Sequence, residues 1–449
     1  MHFQIEQAKD LLKSAKERGA TAGDVLVVEG DSFSAQVRLG DVEKISSARG
    51  KSLGLRLFFG QRSALTSTSD LSPASLEKLV TDTCALAKIA EEDPFSGLPA
   101  GEDCATSFPE LDLVDKEIGK FSIDEKIALA RDTERAALDE DPRLTNSDGA
   151  DFSHSHNEIL YVASNGFCGS NQGSGASLSV SPIASENDQM QRDYWYSSKR
   201  KVRQLASPQA VGQKAALRTL RRLGARKVAT QQAPVVFEAE VAESLLGHLA
   251  SALSGYALYK KASFLTDQPG QQIMSENITV YDDPTLPSGF GSRPFDGEGL
   301  PSRRKIVVEN GVLKSYLLDT YSGKKLGLPS TGNAVRGTGG GPGVGVSNFH
   351  LLPGRASPDE IIASVGSGLY VTELIGFGIN LITGDYSRGA AGIWIENGKL
   401  AYPVEELTIA GNLKDMFRQI ELVGNDVDLS KKIAAPTLKI ARMTVAGNG

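Results

Sequence analysis

The sequence predicts an α+β protein: two N-terminal α/β segments, then a C-terminal, largely antiparallel, β-rich and barrel-like domain with a few helices. Three observations carry this. Helical periodicity is confined to a few segments with clear start signals. Between them, short alternating runs follow one another, broken by polar turns. The glycines are skewed: 17 of 47 fall in residues 1–228 and 30 in residues 229–449, with 19 between Gly311 and Gly398. The second half is therefore rich in turns and in backbone conformations that side chains obstruct. The organisation reads as 1–118, 119–230 and 231–449, with no internal repeat of fixed period.

Residues 3–18 place Phe3, Ala8, Leu11, Leu12 and Ala15 at helical spacing, and Gly19 stops the helix. Strands are expected at Asp24–Gly30, Phe33–Leu39 and Lys44–Ala48. A hairpin around Gly60-Gln61 joins Ser52–Phe59 to Ser63–Thr68. Ser72-Pro73 opens a helix to about Glu91. Residues 92–121, acidic and with prolines at 94, 99 and 109, read as a linker. Ser122-Ile-Asp-Glu125 is a capping box and starts a helix to about Asp139. Strands follow at Leu144–Ser153, Asn157–Ala163, Ala176–Ser185 and Met190–Tyr196, with Asn165-Gly166 as a turn. Ser207-Pro208 opens a helix through Gly224.

In the last segment Val235–Phe237 is a strand and Glu240–Ser254 a helix. Short strands are expected at Asn277–Tyr281, Arg304–Glu309, Gly311–Asp319, Gly392–Glu396 and Lys399–Pro403. Asn310-Gly311 and Asn397-Gly398 are hairpin turns. Helices start at Ser357-Pro358 and near Asn412.

The 449 residues carry a net charge of -7, which argues against a general nucleic-acid binder. The charge is segregated: Lys199–Lys227 holds ten basic residues and no acidic one, while Glu91–Asp151 holds eighteen acidic and six basic. Cys84, Cys104 and Cys168 are too scattered for a disulfide framework or a cysteine zinc site, which suits a reducing cytoplasm. The N-terminus carries Glu6, Lys9 and Asp10 where a signal peptide needs an apolar core. Uncharged stretches such as Ile159–Ser185 are too polar for membrane spans. The expectation is a cytoplasmic protein.

The search for chemistry excludes one motif. Gly337–Gly345 is followed by no Lys-Ser/Thr pair, so it is no phosphate loop. His154, His156 and Glu158 alternate on one strand face, where they either hold a metal or are simply solvated. The helix 207–224 presents Lys214, Arg218, Arg221 and Arg222, either to a phosphate backbone or to the acidic linker or a partner chain. The helix Glu240–Ser254 carries Glu243 and His248 about 140° apart at about 100° per residue. They share a metal only if the helix bulges, for instance at Gly247.

Several segments then resemble one family. They are Gly224-Ala-Arg-Lys-Val-Ala-Thr230, Pro234-Val-Val-Phe237, Glu243-Ser-Leu-Leu-Gly-His-Leu249, Ser263-Phe264-Leu265 and Pro294-Phe-Asp-Gly-Glu-Gly299. Tyr321-Ser-Gly-Lys-Lys-Leu-Gly327, Thr383-Gly-Asp-Tyr-Ser387 and Ala410-Gly-Asn-Leu413 complete the set. Their order from about residue 20 onward resembles the PmbA/TldD family, on its TldE (PmbA) side. The resemblance implies a two-protein zinc protease that degrades or trims unfolded peptides. In it a TldD subunit carries a His-Glu-x-x-x-His metal motif and a C-terminal cysteine, and a TldE subunit pairs with it. It also accounts for the family's older label, modulator of DNA gyrase.

At the metal-motif positions this chain has Glu243 for the first His, Ser244 for the catalytic Glu, and only His248 in common; no cysteine follows Cys168. A catalytic zinc needs about three protein ligands and a general base. The resemblance therefore implies a non-catalytic subunit, with no metal or cofactor of its own and zinc in a TldD-type partner. Gly339, Gly340, Gly341, Thr383, Asp385 and Tyr386 are the candidate peptide cradle. Two alternatives stay open: a homodimeric metallopeptidase with an unorthodox Glu243/His248 site, and a regulatory protein acting on gyrase or DNA through 199–227.

Overall fold

In the computed structural model, which describes residues 5–448, the first half forms one long twisted sheet. His2 and Phe3 lie outside the described residues. The chain runs through α1 (Ile5–Glu17), β1 (Ala22–Arg38), β2 (Asp41–Phe59), β3 (Arg62–Thr68), α2 (Pro73–Ile89), α3 (Ile123–Leu138), β4 (Leu144–Ala163), β5 (Cys168–Glu186), β6 (Gln189–Arg192), β7 (Trp195–Lys199) and α4 (Pro208–Leu220). The strand order is β3-β2-β1-β4-β5-β6, with β7 also on β5. The antiparallel β1–β4 pair thus joins residues from before and after the acidic stretch in a single sheet.

Two expected strand breaks do not occur. Asp24–Gly30 and Phe33–Leu39 are one strand, and Lys44–Ala48 continues into Ser52–Phe59. The polar centre of β1 looked like a turn, but Gly30 is paired to Gly50 on one side and Asn157 on the other. Val25 and Val27 pack with α1 and α2, whereas Phe33, Ala35 and Val37 pack with α3 and α4. All are odd-numbered, so both helix pairs cover the same sheet face. Gly30–Ser32 is the uncovered gap between them, where polar residues cost nothing. Met190–Tyr196, in contrast, is broken at Asp193-Tyr194 into β6 and β7.

Local signals hold where the chemistry is local. Ser122 and Glu125 form the reciprocal capping box of α3, and Ser207 Oγ accepts from the Ala210 amide. Gly166, with φ +100°, turns β4 into β5. Ser72 sits at the N-cap of α2 but does not cap it with its side chain; its hydroxyl donates to Asp70 instead. The acidic linker is irregular yet pinned. Leu111 and Leu113 are buried, and the Ser174 amide donates to the Leu113 carbonyl.

The second half contains β8 (Ala229–Phe237), α5 (Ala239–Ala252), α6 (Gly255–Tyr259), β9 (Val280–Asp282), β10 (Lys305–Glu309), β11 (Val312–Leu313) and α7 (Thr320–Leu326). There follow β12 (Ala334–Val335), β13 (Gly343–Val344), β14 (Phe349–Leu351), α8 (Pro358–Ala363), β15 (Ser367–Ile375), β16 (Asp385–Glu396), β17 (Lys399–Asn412), α9 (Leu413–Arg418), β18 (Ile420–Val423), β19 (Ile433–Ala434) and β20 (Leu438–Asn448). The main sheet is β17-β16-β15-β8-β20-β18, and a further β17–β20 pairing closes five of these strands into a ring. Among the described strands of this sheet only β8–β15 is parallel. A smaller sheet, β11-β10-β9-β14-β19, lies beside it. The expected α+β class with a mainly antiparallel, barrel-like second half is what the chain forms.

Three expectations in this half change. Gly311–Asp319 is a strand only at β11, after which the chain turns toward α7. The helix near Asn412 ends at Arg418, and β18 replaces its second half. The strands β15 and β20 had no expected counterpart; residues 368–372 of β15 are buried in succession and show no alternation, whereas β20 does alternate, with Leu438, Ile440, Met443 and Val445 buried.

Helix α5 runs between the closed sheet and the smaller one. Leu245, Leu246 and Leu249 on it are at most 1% exposed, and full burial of each stabilises by about 1.5–3 kcal/mol. The two halves meet on the sheet face opposite the helices, where Leu26, Tyr161 and Phe167 pack with Phe295.

The glycine run touches this junction. A Cβ on Gly54 of β2 would lie 2.3 Å from the Thr338 carbonyl oxygen. Gly54→Ala is therefore expected to cost about 1–3 kcal/mol in urea unfolding, as overpacking does. Gly337→Ala, with nothing within 4 Å of its Cβ, should stay within about 0.5 kcal/mol. Equal effects of the two would refute a tight Gly54–Thr338 contact.

Candidate functional site

A cavity of about 1100 Å³ opens where α5 faces β7 and the strand ends of the closed sheet. Glu240, Glu243, Ser244 and Gly247 of α5 form one wall, and Trp195 and Tyr196 of β7 another. Its charged lining also includes Arg388 of β16, Lys431 and Lys432. The helix wall exists because the apolar side of α5 is spent on the core, which leaves Glu243, Ser244 and Gly247 turned outward.

Each α5 motif residue has a different neighbour. Lys431 Nζ donates to Glu243 Oε2 at 3.1 Å and lies 4.0 Å from Glu240. Burial raises the Glu243 carboxyl above its usual range, with Lys431 opposing. Burial works against the Lys431 charge, but Glu243, Tyr196 and Glu240 together outweigh it and hold the ammonium well above its ordinary range. Ser244 Oγ donates to the Val241 carbonyl at 2.7 Å, a bond within its own helix. His248 points the other way, edge-on to Tyr386 with ring centroids 6.1 Å apart. Burial, helped by the charge of Arg388, pushes the His248 imidazole down to about 4, so it is neutral at pH 7.

These donors do not fit a catalytic zinc. Helix α5 is regular through Gly247, so Glu243 and His248 stay on different sides as their spacing required. One is held by a lysine, the other stands beside an arginine, and Ser244 cannot serve as base. Among the described residues no three His, Cys, Asp or Glu side chains gather in a metal-binding arrangement. That covers the strand histidines: His154 stacks on Phe33 at 5.7 Å, His156 lies 3.8 Å from Asp31, and Glu158 accepts from Gln172.

The candidate cradle residues are dispersed. Gly339, Gly340 and Gly341 are exposed and line no part of this cavity. Thr383 and Asp385 are exposed and locked to one another, with Asn412 Nδ2 donating to the Thr383 carbonyl and to Asp385 Oδ1, each at 3.1 Å. Two of the family-like segments, 383–387 and 410–413, thus lie side by side where β16 pairs with β17. Tyr386 is buried beneath His248.

The basic segment is used internally. Arg218 and Arg221 pair with Glu238, Arg222 with Glu373, Lys227 with Glu406 and Lys199 with Asp428. Lys201 and Arg203 do meet the acidic linker, at Asp112 and Glu117. Arg200 donates to backbone carbonyls, while Lys214 and Arg226 lie over Trp195 and Tyr402.

Sequence reasoning missed Arg388, Lys431 and the aromatic wall. Signals existed for two of them: Tyr194-Trp195-Tyr196 is an unusual aromatic cluster, and Arg388 directly follows the segment 383–387. Lys431 carried none. None of the described helices is long and apolar enough to cross a membrane.

The PmbA/TldA metallopeptidase profiles match in chain order: domain 1 at residues 23–87, the central domain at 116–223 and the C-terminal domain at 230–447. The metalloprotease PmbA of Escherichia coli O157:H7 is 39% identical over 436 residues, 97% of this chain and 94% of the relative. A Bacteroides thetaiotaomicron crystal structure, named as a candidate modulator of DNA gyrase, superposes with a TM-score of 0.91 at 30% identity, covering 99% of each chain. TldE of Thermococcus kodakarensis has the same fold, with a TM-score of 0.89 at 22% identity over 98% of this chain and 99% of its own. The chain belongs to the PmbA/TldD metallopeptidase family.

Proposed function

We propose that this chain is the non-catalytic, peptide-holding subunit of a two-protein metalloprotease, and that a TldD-type partner supplies the zinc. The observation that carries the reading is the Glu243–Lys431 ion pair, which occupies the motif position of a metal ligand, with Ser244 standing where the base would be needed. The cavity beside it suits a peptide: it has an aromatic wall and charged groups, and it is large enough for several residues. In this reading the name metalloprotease, borne by the Escherichia coli relative, belongs to the assembled pair. An extended substrate would bind largely through main chain, which tolerates many sequences.

The test is co-purification of the tagged chain with a TldD homologue, followed by metal analysis and cleavage of an unstructured peptide. Zinc and cleavage are expected from the pair and not from this chain alone. Stoichiometric zinc together with peptide cleavage by the isolated chain would sink the proposal.

A further inference from the structure

Two cations lining the cavity, Arg388 and Lys432, have no ion-pair partner among the described residues. Its carboxylates are all paired: Asp193 with Arg218, Glu373 with Arg222, Asp428 with Lys199, and Glu240 and Glu243 with Lys431. Arg388 has no carboxylate partner among the described residues. Its Nε is buried without a hydrogen-bond partner, and so are His248 Nε2 and the Tyr386 hydroxyl.

These three atoms are neighbours. Tyr386 and Arg388 are two apart on β16 and so share a face. His248 stands against Tyr386 from α5. Buried polar atoms are rarely left unbonded, so three together mark a place for a ligand or water. The donor set selects the ligand. Of the three, only Arg388 lines the cavity, and its planar guanidinium matches a monoanion with two acceptor oxygens. A cation is repelled by Arg388. A dianion such as phosphate would in addition face Glu240, Glu243 and Asp428 across the same space.

We infer that Arg388 forms a carboxylate-binding subsite at the inner wall of the cavity, which anchors a peptide by its C-terminal carboxylate or by an Asp or Glu side chain. The inference rests on the peptide-holding role proposed above and gives it a chemical direction.

The test uses the full chain and three N-acetylated alanine-rich pentapeptides. One ends in a free carboxylate, one is its C-terminal amide, and one is that amide with an internal Glu. Binding is read by calorimetry and by the fluorescence of Trp195. At least one carboxylate-bearing peptide should bind about tenfold more tightly than the plain amide, as one charge-assisted bond allows. Which peptide gains identifies the source of the carboxylate. Arg388→Gln should abolish the preference, and Arg388→Lys should restore part of it. If Arg388→Gln does not fold, judged by its melting curve, the three-peptide comparison on the unaltered chain decides. Equal binding of all three overturns the subsite and leaves the peptide-holding role standing. Binding of none overturns both. An undiminished preference in folded Arg388→Gln overturns the subsite.

Discussion

Asp24→Ala is expected to destabilise the protein by about 3–5 kcal/mol, the scale of stripping one partner from a buried ion pair. Asp24 is fully buried on β1. Arg56, its cross-strand partner on β2, donates through Nε to Oδ2 at 3.0 Å. Arg336, whose side chain is 1% exposed, approaches Oδ1 to 2.6 Å from the other half of the chain. The Tyr161 hydroxyl adds a bond to Oδ2 at 3.3 Å. Removing the carboxylate leaves two guanidinium groups facing each other without an anion. Urea unfolding at pH 7 measures the loss, and a value under about 1 kcal/mol would falsify the assignment.

The same cluster sets a pH dependence. Burial raises the Asp24 carboxyl, but Arg56 and Arg336 outweigh it and hold it below its ordinary range. A depressed native pKa means the unfolded chain binds the proton more readily. The contribution of Asp24 is therefore complete above the ordinary carboxylate pKa of about 4 and fades as pH falls through the native value. The gap between the unaltered chain and Asp24→Ala should narrow on acidification below about pH 4. Glu298 works in the opposite sense. Burial pushes it up to about 7 from an ordinary 4.5, so its ionisation costs stability as pH rises across that interval.

Arg218→Ala should cost a similar amount, about 3–5 kcal/mol. Arg218 is 5% exposed on α4 and donates through Nη1 to Glu238 Oε2 at 2.7 Å. Its Nε lies 3.4 Å from Asp193. Glu238 is the residue before α5, so this pair clamps a helix of the first half to the start of the helix that walls the cavity. Arg221 and the Tyr370 hydroxyl still reach Glu238 in the variant, but Asp193 loses its cation. Because Arg218 and Asp193 also line the cavity, peptide binding should weaken along with stability. Arg218→Lys keeps the charge without the planar fork and should fall between the two. Thermal melting of the three proteins orders them, and an Arg218→Ala midpoint equal to that of the unaltered chain counts against the clamp.

What the sequence discloses follows the range of the interaction concerned. Ser122 with Glu125 and Ser357 with Glu360 are complete caps within four residues, and both are formed. Asn310-Gly311 and Asn397-Gly398 require positive φ at both positions and have it. The spacing of Glu243 and His248 already argued against a shared metal. Gly30 misled because its strand character comes from partners on two other strands. The Asp24–Arg336 pair, Lys431 beside Glu243, and the clustering of Arg388 with His248 depend on tertiary neighbours that no local pattern encodes. The family resemblance located the motif helix; the lysine that occupies it had to come from the fold.

The closed ring of strands has a consequence for how the chain reaches its native state. Strand β20 supplies two of the ring's seams, pairing its Met443 with Ala233 of β8 and its Val445 with Ile409 of β17. During synthesis β8 emerges long before residues 438–445 exist. The first-half sheet can form while the ribosome is still translating, but β8 must wait with an unpaired edge. Such distant pairing is slow, because the loop entropy is lost before the contacts form. The barrel half is thus expected to close more slowly and to be the more aggregation-exposed part of folding.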